Sequence, residues 1–117
     1  MSQSVGSKGL FGLIACAVVA TLSFSVLAAV DEEAAKVTAR QNNCFKCHSV
    51  SKEKDGPAFS KVAAKYRGRE DAEARLTTHL TSGEKAKFPD GHEEAHKIIK
   101  TKDSAETANI VRWILSR

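Results

Sequence analysis

Three residues stand at a spacing that dictates one chemistry. Cys44 and Cys47 are three positions apart and His48 follows directly, giving C-x-x-C-H. Two thiols so placed can each form a thioether to one vinyl group of a porphyrin, and the adjacent imidazole then lies under its iron. The pattern predicts one covalently attached haem c, held by Cys44 and Cys47, with His48 as the proximal iron ligand. Rival readings of the same residues lack support elsewhere in the chain. A thioredoxin-like redox pair belongs to alternating strands and helices, and no convincing strand run is present. A closed zinc site needs four protein ligands, and the remaining cysteine, Cys16, lies in a segment expected to be removed. A Cys44–Cys47 disulfide would close too small a loop to stabilise much.

The elements around the motif begin with a targeting segment. Lys8 supplies a positive start, Leu10 to Ala28 is almost wholly apolar, and Val26-Leu27-Ala28-Ala29 offers small residues for cleavage. Residues 1–29 therefore read as a signal peptide cut near Ala28 or Ala29, with one domain over 30–117. The apolar run also approaches the roughly 20 residues of a membrane anchor, and Leu13-Ile14-Ala15-Cys16 resembles a lipobox; export with cleavage is the preferred reading. Loss of Lys8 would lower the formal charge from +4 to +3, and two haem propionates would bring it near neutrality. Neither this charge nor the scatter of aromatic residues suits nucleic-acid binding.

Asp31 is a good N-cap, and Glu32 and Glu33 suit the positive first turn of a helix running to about Arg40. Gln41-Asn42-Asn43 loosens the chain before Cys44. A polar loop, Ser49 to Asp55, is closed by Gly56-Pro57. Phe59, Val62, Ala63 and Tyr66 recur at helical spacing, and Gly68 ends that helix. A third helix is predicted from about Glu70 to Ser82, with Ala72, Leu76 and Leu80 inward and Gly83 as its stop. Glu84 to Thr101 is the least regular stretch, with a turn at Pro89-Asp90-Gly91. The last helix starts at Asp103 or Ser104; Thr107, Ile110, Val111, Ile114 and Leu115 form its apolar side, with Trp113 at the flank.

With these elements in place, the chain resembles the class I c-type cytochromes, in particular the small bacterial c-551 and c5 type. The resemblance is carried by Cys44 to His48, Gly56-Pro57-Ala58-Phe59, Val62-Ala63-Ala64-Lys65-Tyr66 and Trp113-Ile114-Leu115-Ser116. It implies an all-α cytochrome c fold of about four helices wrapped around one haem. The first and last helices would pack together, with Phe45 near their crossing. It further implies that the Pro57 carbonyl orients His48 by binding its other ring nitrogen. One departure stands out. The family usually takes a methionine as sixth iron ligand, but the sole methionine here is Met1. His92 and His96 fall in the stretch that carries the family's distal ligand. His96, seven residues before Asp103, is preferred, and His92, eleven before it, is the alternative. His79 is expected to touch a propionate or lie at the surface.

These residues predict a periplasmic electron-transfer protein of low potential with two histidine ligands, and no enzyme, since no catalytic acid, base or nucleophile stands out. Its partners would be redox donor and acceptor proteins, steered by Lys46, Lys52, Lys54, Lys85, Lys87 and Lys97. No nucleic acid and, after signal cleavage, no membrane is expected as partner, and the protein should be a monomer or weak dimer. Two alternatives remain open: a haem-based binder or sensor of O2, NO or CO, and a haem subunit of a larger oxidoreductase. His92-Glu93-Glu94-Ala95-His96 also matches the zinc-protease pattern H-E-x-x-H. That chemistry needs both histidines on one stable helix with a third ligand and a cleft, which a short segment after Pro89-Asp90-Gly91 does not promise.

Overall fold

In the computed structural model, helix α1 spans Glu32–Gln41, and its start follows the capping logic of its sequence. The Asp31 side chain accepts a hydrogen bond from the Ala34 N–H at 2.9 Å, which satisfies one of the free donors of the first turn. Residues 1–2 and 28–117 are described, so the expected signal segment lies almost wholly outside the described residues. The C-terminal end of α1 turns sharply because Asn43 adopts the left-handed conformation at φ 57°. Asparagine tolerates that region better than most residues. The turn delivers the chain into a 3-10 turn, Cys44–Lys46.

Helix α2 is Phe59–Tyr66, α3 is Ala72–Ser82 and α4 is Ser104–Leu115. The third helix starts two residues later than its sequence suggests. Arg69 and Asp71 pair side chain to side chain ahead of it, so the chain there forms a turn. Gly83, at φ 70°, ends α3 in the left-handed conformation that its C-terminal cap requires. Asp103 caps α4 by accepting from the N–H groups of Ala105 and Glu106.

The segment expected to be irregular contains a hairpin. Strands β1, Lys85–Lys87, and β2, Glu93–Ala95, pair antiparallel with Lys85 opposite Ala95 and Lys87 opposite Glu93. Each strand is only three residues long, with Ala86 of β1 alone turned inward, so the period-two signal is too short to read. The ladder is closed by Phe88 N–H to the His92 carbonyl and Gly91 N–H to the Phe88 carbonyl, both 2.9 Å. The fold is nevertheless all-α in class.

Helix α4 is the element on which α1, α2 and α3 all pack. The reason lies in its composition: Ile110, Val111, Trp113 and Ile114 are all buried. Trp113 is not at the flank, as its spacing suggests, but is fully buried. Phe45 and Phe59 stand edge-on to it, with ring centroids 6.4 and 5.5 Å away. The crossing of first and last helices is further pinned by polar bonds. Asp31 N–H donates to Asn109 Oδ1 and Asn109 Nδ2 donates to the Asp31 carbonyl, both at 2.8 Å. The Glu106 carboxylate accepts from Thr38 of α1 and from Thr101 of the preceding strap. Buried hydroxyls are thereby satisfied where an unpaired one would cost about 1–3 kcal/mol.

Candidate haem site

The motif is held open and rigid by short backbone bonds. His48 N–H donates to the Cys44 carbonyl at 2.9 Å, so one helical turn carries the three motif residues. Gly56 N–H donates to the Cys47 carbonyl at 2.7 Å, and Phe59 N–H to the Ser49 carbonyl at 2.9 Å. The loop is thus folded back on the motif and brings Gly56-Pro57 against the His48 ring. Lys54 Nζ donates to the Phe45 carbonyl at 2.6 Å. That lysine, expected to steer a partner, has an internal hydrogen bond as well.

His48 Nδ1 lies 2.7 Å from the Pro57 carbonyl oxygen. A carbonyl only accepts, so Nδ1 carries the proton and Nε2 keeps its lone pair. Phe59 stacks on the ring at 5.2 Å and 20°. Gly56 comes so close that a Cβ there would stand 2.5 Å from His48 Cε1. Any side chain at 56 would displace the imidazole. This requirement is hidden in the sequence, where Gly56 reads as part of a turn. Cys44 and Cys47 are each partly buried and form no disulfide.

Across from His48 stands His96, with ring centroids 6.2 Å apart and planes at 51°. His96 Nδ1 lies 3.0 Å from the Lys97 carbonyl oxygen, so its Nε2 is likewise the lone-pair nitrogen. Burial, and then the nearby His79, hold the His96 pKa below the usual imidazole value, which favours the neutral form. The His96 N–H donates to the Glu84 carbonyl at 2.9 Å, extending the hairpin ladder by one bond. Just beyond, Ile99 N–H donates to the Leu80 carbonyl, and Lys100 N–H donates to Asn42 Oδ1 at 2.8 Å. Asn42 therefore ties the strap carrying His96 to the end of the helix that leads into the motif. Its role is carried by pairing across 58 residues, and no local pattern could announce it.

The other histidines are placed differently. His92 sits on the exposed hairpin, stacked on Phe88 at 4.4 Å. Its Nδ1 pairs with Asp90 and its Nε2 lies 3.3 Å from Glu94. Strand residues 93–95 separate it from His96, so H-E-x-x-H has no helix on which to align two ligands. Among the described residues, no group of three or more His, Cys, Asp or Glu side chains is arranged to hold a metal ion directly. His79 does not lie free at the surface. It is part-buried, with its ring centroid 4.2 Å from that of His96 and Nδ1 2.6 Å from Glu84 Oε1.

The donor set fits haem. Two cysteines and an adjacent histidine in C-x-x-C-H would hold its porphyrin and one side of its iron, and a second imidazole, His96, stands with its ring centroid 6.2 Å from that of His48. A helical fold around a C-x-x-C-H turn defines a class of small monohaem proteins. Comparison with known proteins gives the family: the cytochrome c family model, "Cytochrome c", matches residues 32–117. The chain belongs to the cytochrome c family. It is 32% identical over 78 residues to cytochrome c-552 of Hydrogenobacter thermophilus, covering 67% of this chain and 76% of that one. Among solved structures it is similar to the class 1 cytochrome MtoD from Sideroxydans lithotrophicus ES-1. That match has 66% identity and a TM-score of 0.73, over 75% of this chain and 97% of the other. Cytochrome c552 of Nitrosomonas europaea matches with 27% identity and a TM-score of 0.57, over 69% and 96%. The protein is thus a class I c-type cytochrome with one covalently attached haem, an electron-transfer protein by family.

Proposed function

We propose that this chain is an exported periplasmic electron carrier of low potential. Cys44 and Cys47 form the thioethers, and His48 and His96 supply both axial nitrogens. The supporting observation is the pair of facing imidazoles, each with Nδ1 tied to a backbone carbonyl and Nε2 left for a metal. When bound, the haem supplies one-electron exchange between ferric and ferrous iron. The protein's residues do the rest. Pro57 and the Lys97 carbonyl fix the two tautomers. Phe59 stacks on the His48 ring, and the lack of a side chain at Gly56 leaves the ring room. Two nitrogen donors favour ferric iron more than nitrogen with thioether does, so the potential should fall below that of methionine-ligated relatives. Export follows from residues 1–29 read as a signal peptide, leaving a domain from residue 30. Exposed lysines, among them Lys46, Lys52 and Lys87, would steer acidic donor and acceptor proteins.

The test is optical spectroscopy of the haem-loaded His96→Ala and His92→Ala variants. His96→Ala should lose low-spin character and bind carbon monoxide when reduced, while His92→Ala should keep the parent spectrum. Loss of low-spin character in His92→Ala alone would overturn the assignment. A rapid carbon monoxide shift in the unmodified protein would favour ligand binding over electron transfer.

A further inference from the structure

His79 belongs to no part of the electron-transfer reading, yet it is the side chain laid against the distal imidazole. Its ring centroid is 4.2 Å from that of His96, at 41° between planes. It is itself held. Glu84 Oε1 accepts from His79 Nδ1 at 2.6 Å and from Arg75 Nη1 at 2.8 Å. Arg75 and His79 lie one turn apart on α3, so both present the same face to Glu84. The bond to Arg75 and then that to His79 hold the Glu84 carboxyl below its usual range. The same residue reaches His96 a second way, because its carbonyl accepts the His96 N–H at 2.9 Å. Glu84 follows Gly83, whose left-handed turn sends the chain from α3 into the strap.

We propose that Glu84 and His79 are positioning residues that set the plane of the distal histidine. The proposal rests on His96 being the distal ligand. Glu84 fixes the height of His96 through its carbonyl and the rotation of its ring through His79. An imidazole ligand donates π density to iron perpendicular to its own plane, so the angle between two axial rings decides how the iron d orbitals split. Rotation about the axis costs the ring no bond to iron. Without that wall only the Nδ1 bond to the Lys97 carbonyl, at 3.0 Å, would hold the plane of His96.

Electron paramagnetic resonance of the haem-loaded ferric protein reads that angle through its g values. His79→Ala should stay low-spin but show a largest g value shifted outside the parent linewidth. Glu84→Ala should shift the same way. Glu84→Gln, whose amide oxygen still accepts from His79 Nδ1, should return toward the parent signal. A merely structural contribution would lower the melting temperature and leave the g values of the folded protein alone. Should His79→Ala fail to load haem, His79→Gln keeps side-chain volume, removes the flat ring, and should give the same shift. Parent g values in the His79 variants, or a parent signal in Glu84→Ala, would overturn the proposal. A His96→Ala variant that retained the parent signal would instead overturn the ligand assignment beneath it.

Discussion

The two arms of the site are built by different means. The proximal arm, residues 42–59, is a short loop stitched by local backbone bonds and backed by the buried Phe59 and Trp113. The distal arm, residues 83–102, is longer, largely exposed, and anchored at separate points: Glu84 to His96, Leu80 to Ile99 and Asn42 to Lys100. Few apolar contacts and many exposed backbone bonds place an element at the low end of local stability. The fold therefore puts its rigidity where haem is covalently attached. The proposed second imidazole comes from the more exposed arm, which enters the core at Ile99. On the proposed reading His79 and Glu84 set the plane of His96, as Phe59 and the Pro57 carbonyl hold that of His48.

The largest expected effect tests whether the proximal arm organises the whole molecule. Cys44→Ser with Cys47→Ser should abolish covalent haem and most of the helical circular dichroism. A domain of this size buries too little apolar surface to stand easily without its porphyrin. Native helicity in that variant would show that the protein core suffices. Next comes Gly56→Ala. The added methyl would sit 2.5 Å from His48 Cε1 and 2.8 Å from Nδ1. Overpacking of this kind costs about 1–3 kcal/mol, and here it also pushes the proximal imidazole off the Pro57 carbonyl. Both a lower denaturation midpoint and a disturbed low-spin spectrum are expected.

The same contrast decides what could be read from the sequence. The proximal arm was legible because its chemistry demands adjacency. Two thioethers and one iron–nitrogen bond reach one porphyrin only from residues four positions apart or fewer, and that spacing is visible as C-x-x-C-H. The helices were legible through their caps, Asp31 and Asp103, and through their spacing of apolar residues. The candidates for a distal ligand were legible as a missing methionine and a short choice of histidines. The arrangement that brings His96, and not His92, near His48 depends on the hairpin register, and the charged and turn residues of 85–95 give no apolar period to reveal it. Trp113 escaped because its helix is buried on more than one face; three helices pack on α4, so the flank of its apolar stripe is also interior. Glu84 and Asn42 act through backbone or long-range bonds, which leave no local pattern.

Smaller effects sharpen the distal side. Gly83→Ala places a side chain on a backbone with φ 70°, 3.3 Å from Ile98 Cδ1. Left-handed strain costs an L residue roughly 1–2 kcal/mol. Ile98 is exposed and can give way, so the loss should stay near 1 kcal/mol. That is below the Gly56 effect, where the neighbour is a fixed imidazole. Calorimetry of the two variants side by side measures the ranking, and an equal or larger loss at Gly83 would reverse the assignment of rigidity to the proximal arm.

The smallest effect is a pH dependence at the hairpin. His92 has its pKa raised, first by its hydrogen bond to Asp90 and further by Glu94. A histidine whose folded pKa exceeds its unfolded value stabilises the folded form fully below the unfolded value, about 6.5. That contribution is lost as pH rises through the folded pKa. The hairpin should therefore be tightest below about pH 6.5 and loosen above the raised value, as the imidazolium between Asp90 and Glu94 loses its proton. Amide hydrogen exchange near Phe88 and His92, corrected for the intrinsic pH effect, should show protection falling over that window. His92→Gln should flatten the profile. Because His92 is solvent-exposed and off the core, the melting temperature should barely move. A cooperative change in global stability over the same window would mean that the distal arm is coupled to the core as tightly as the proximal one.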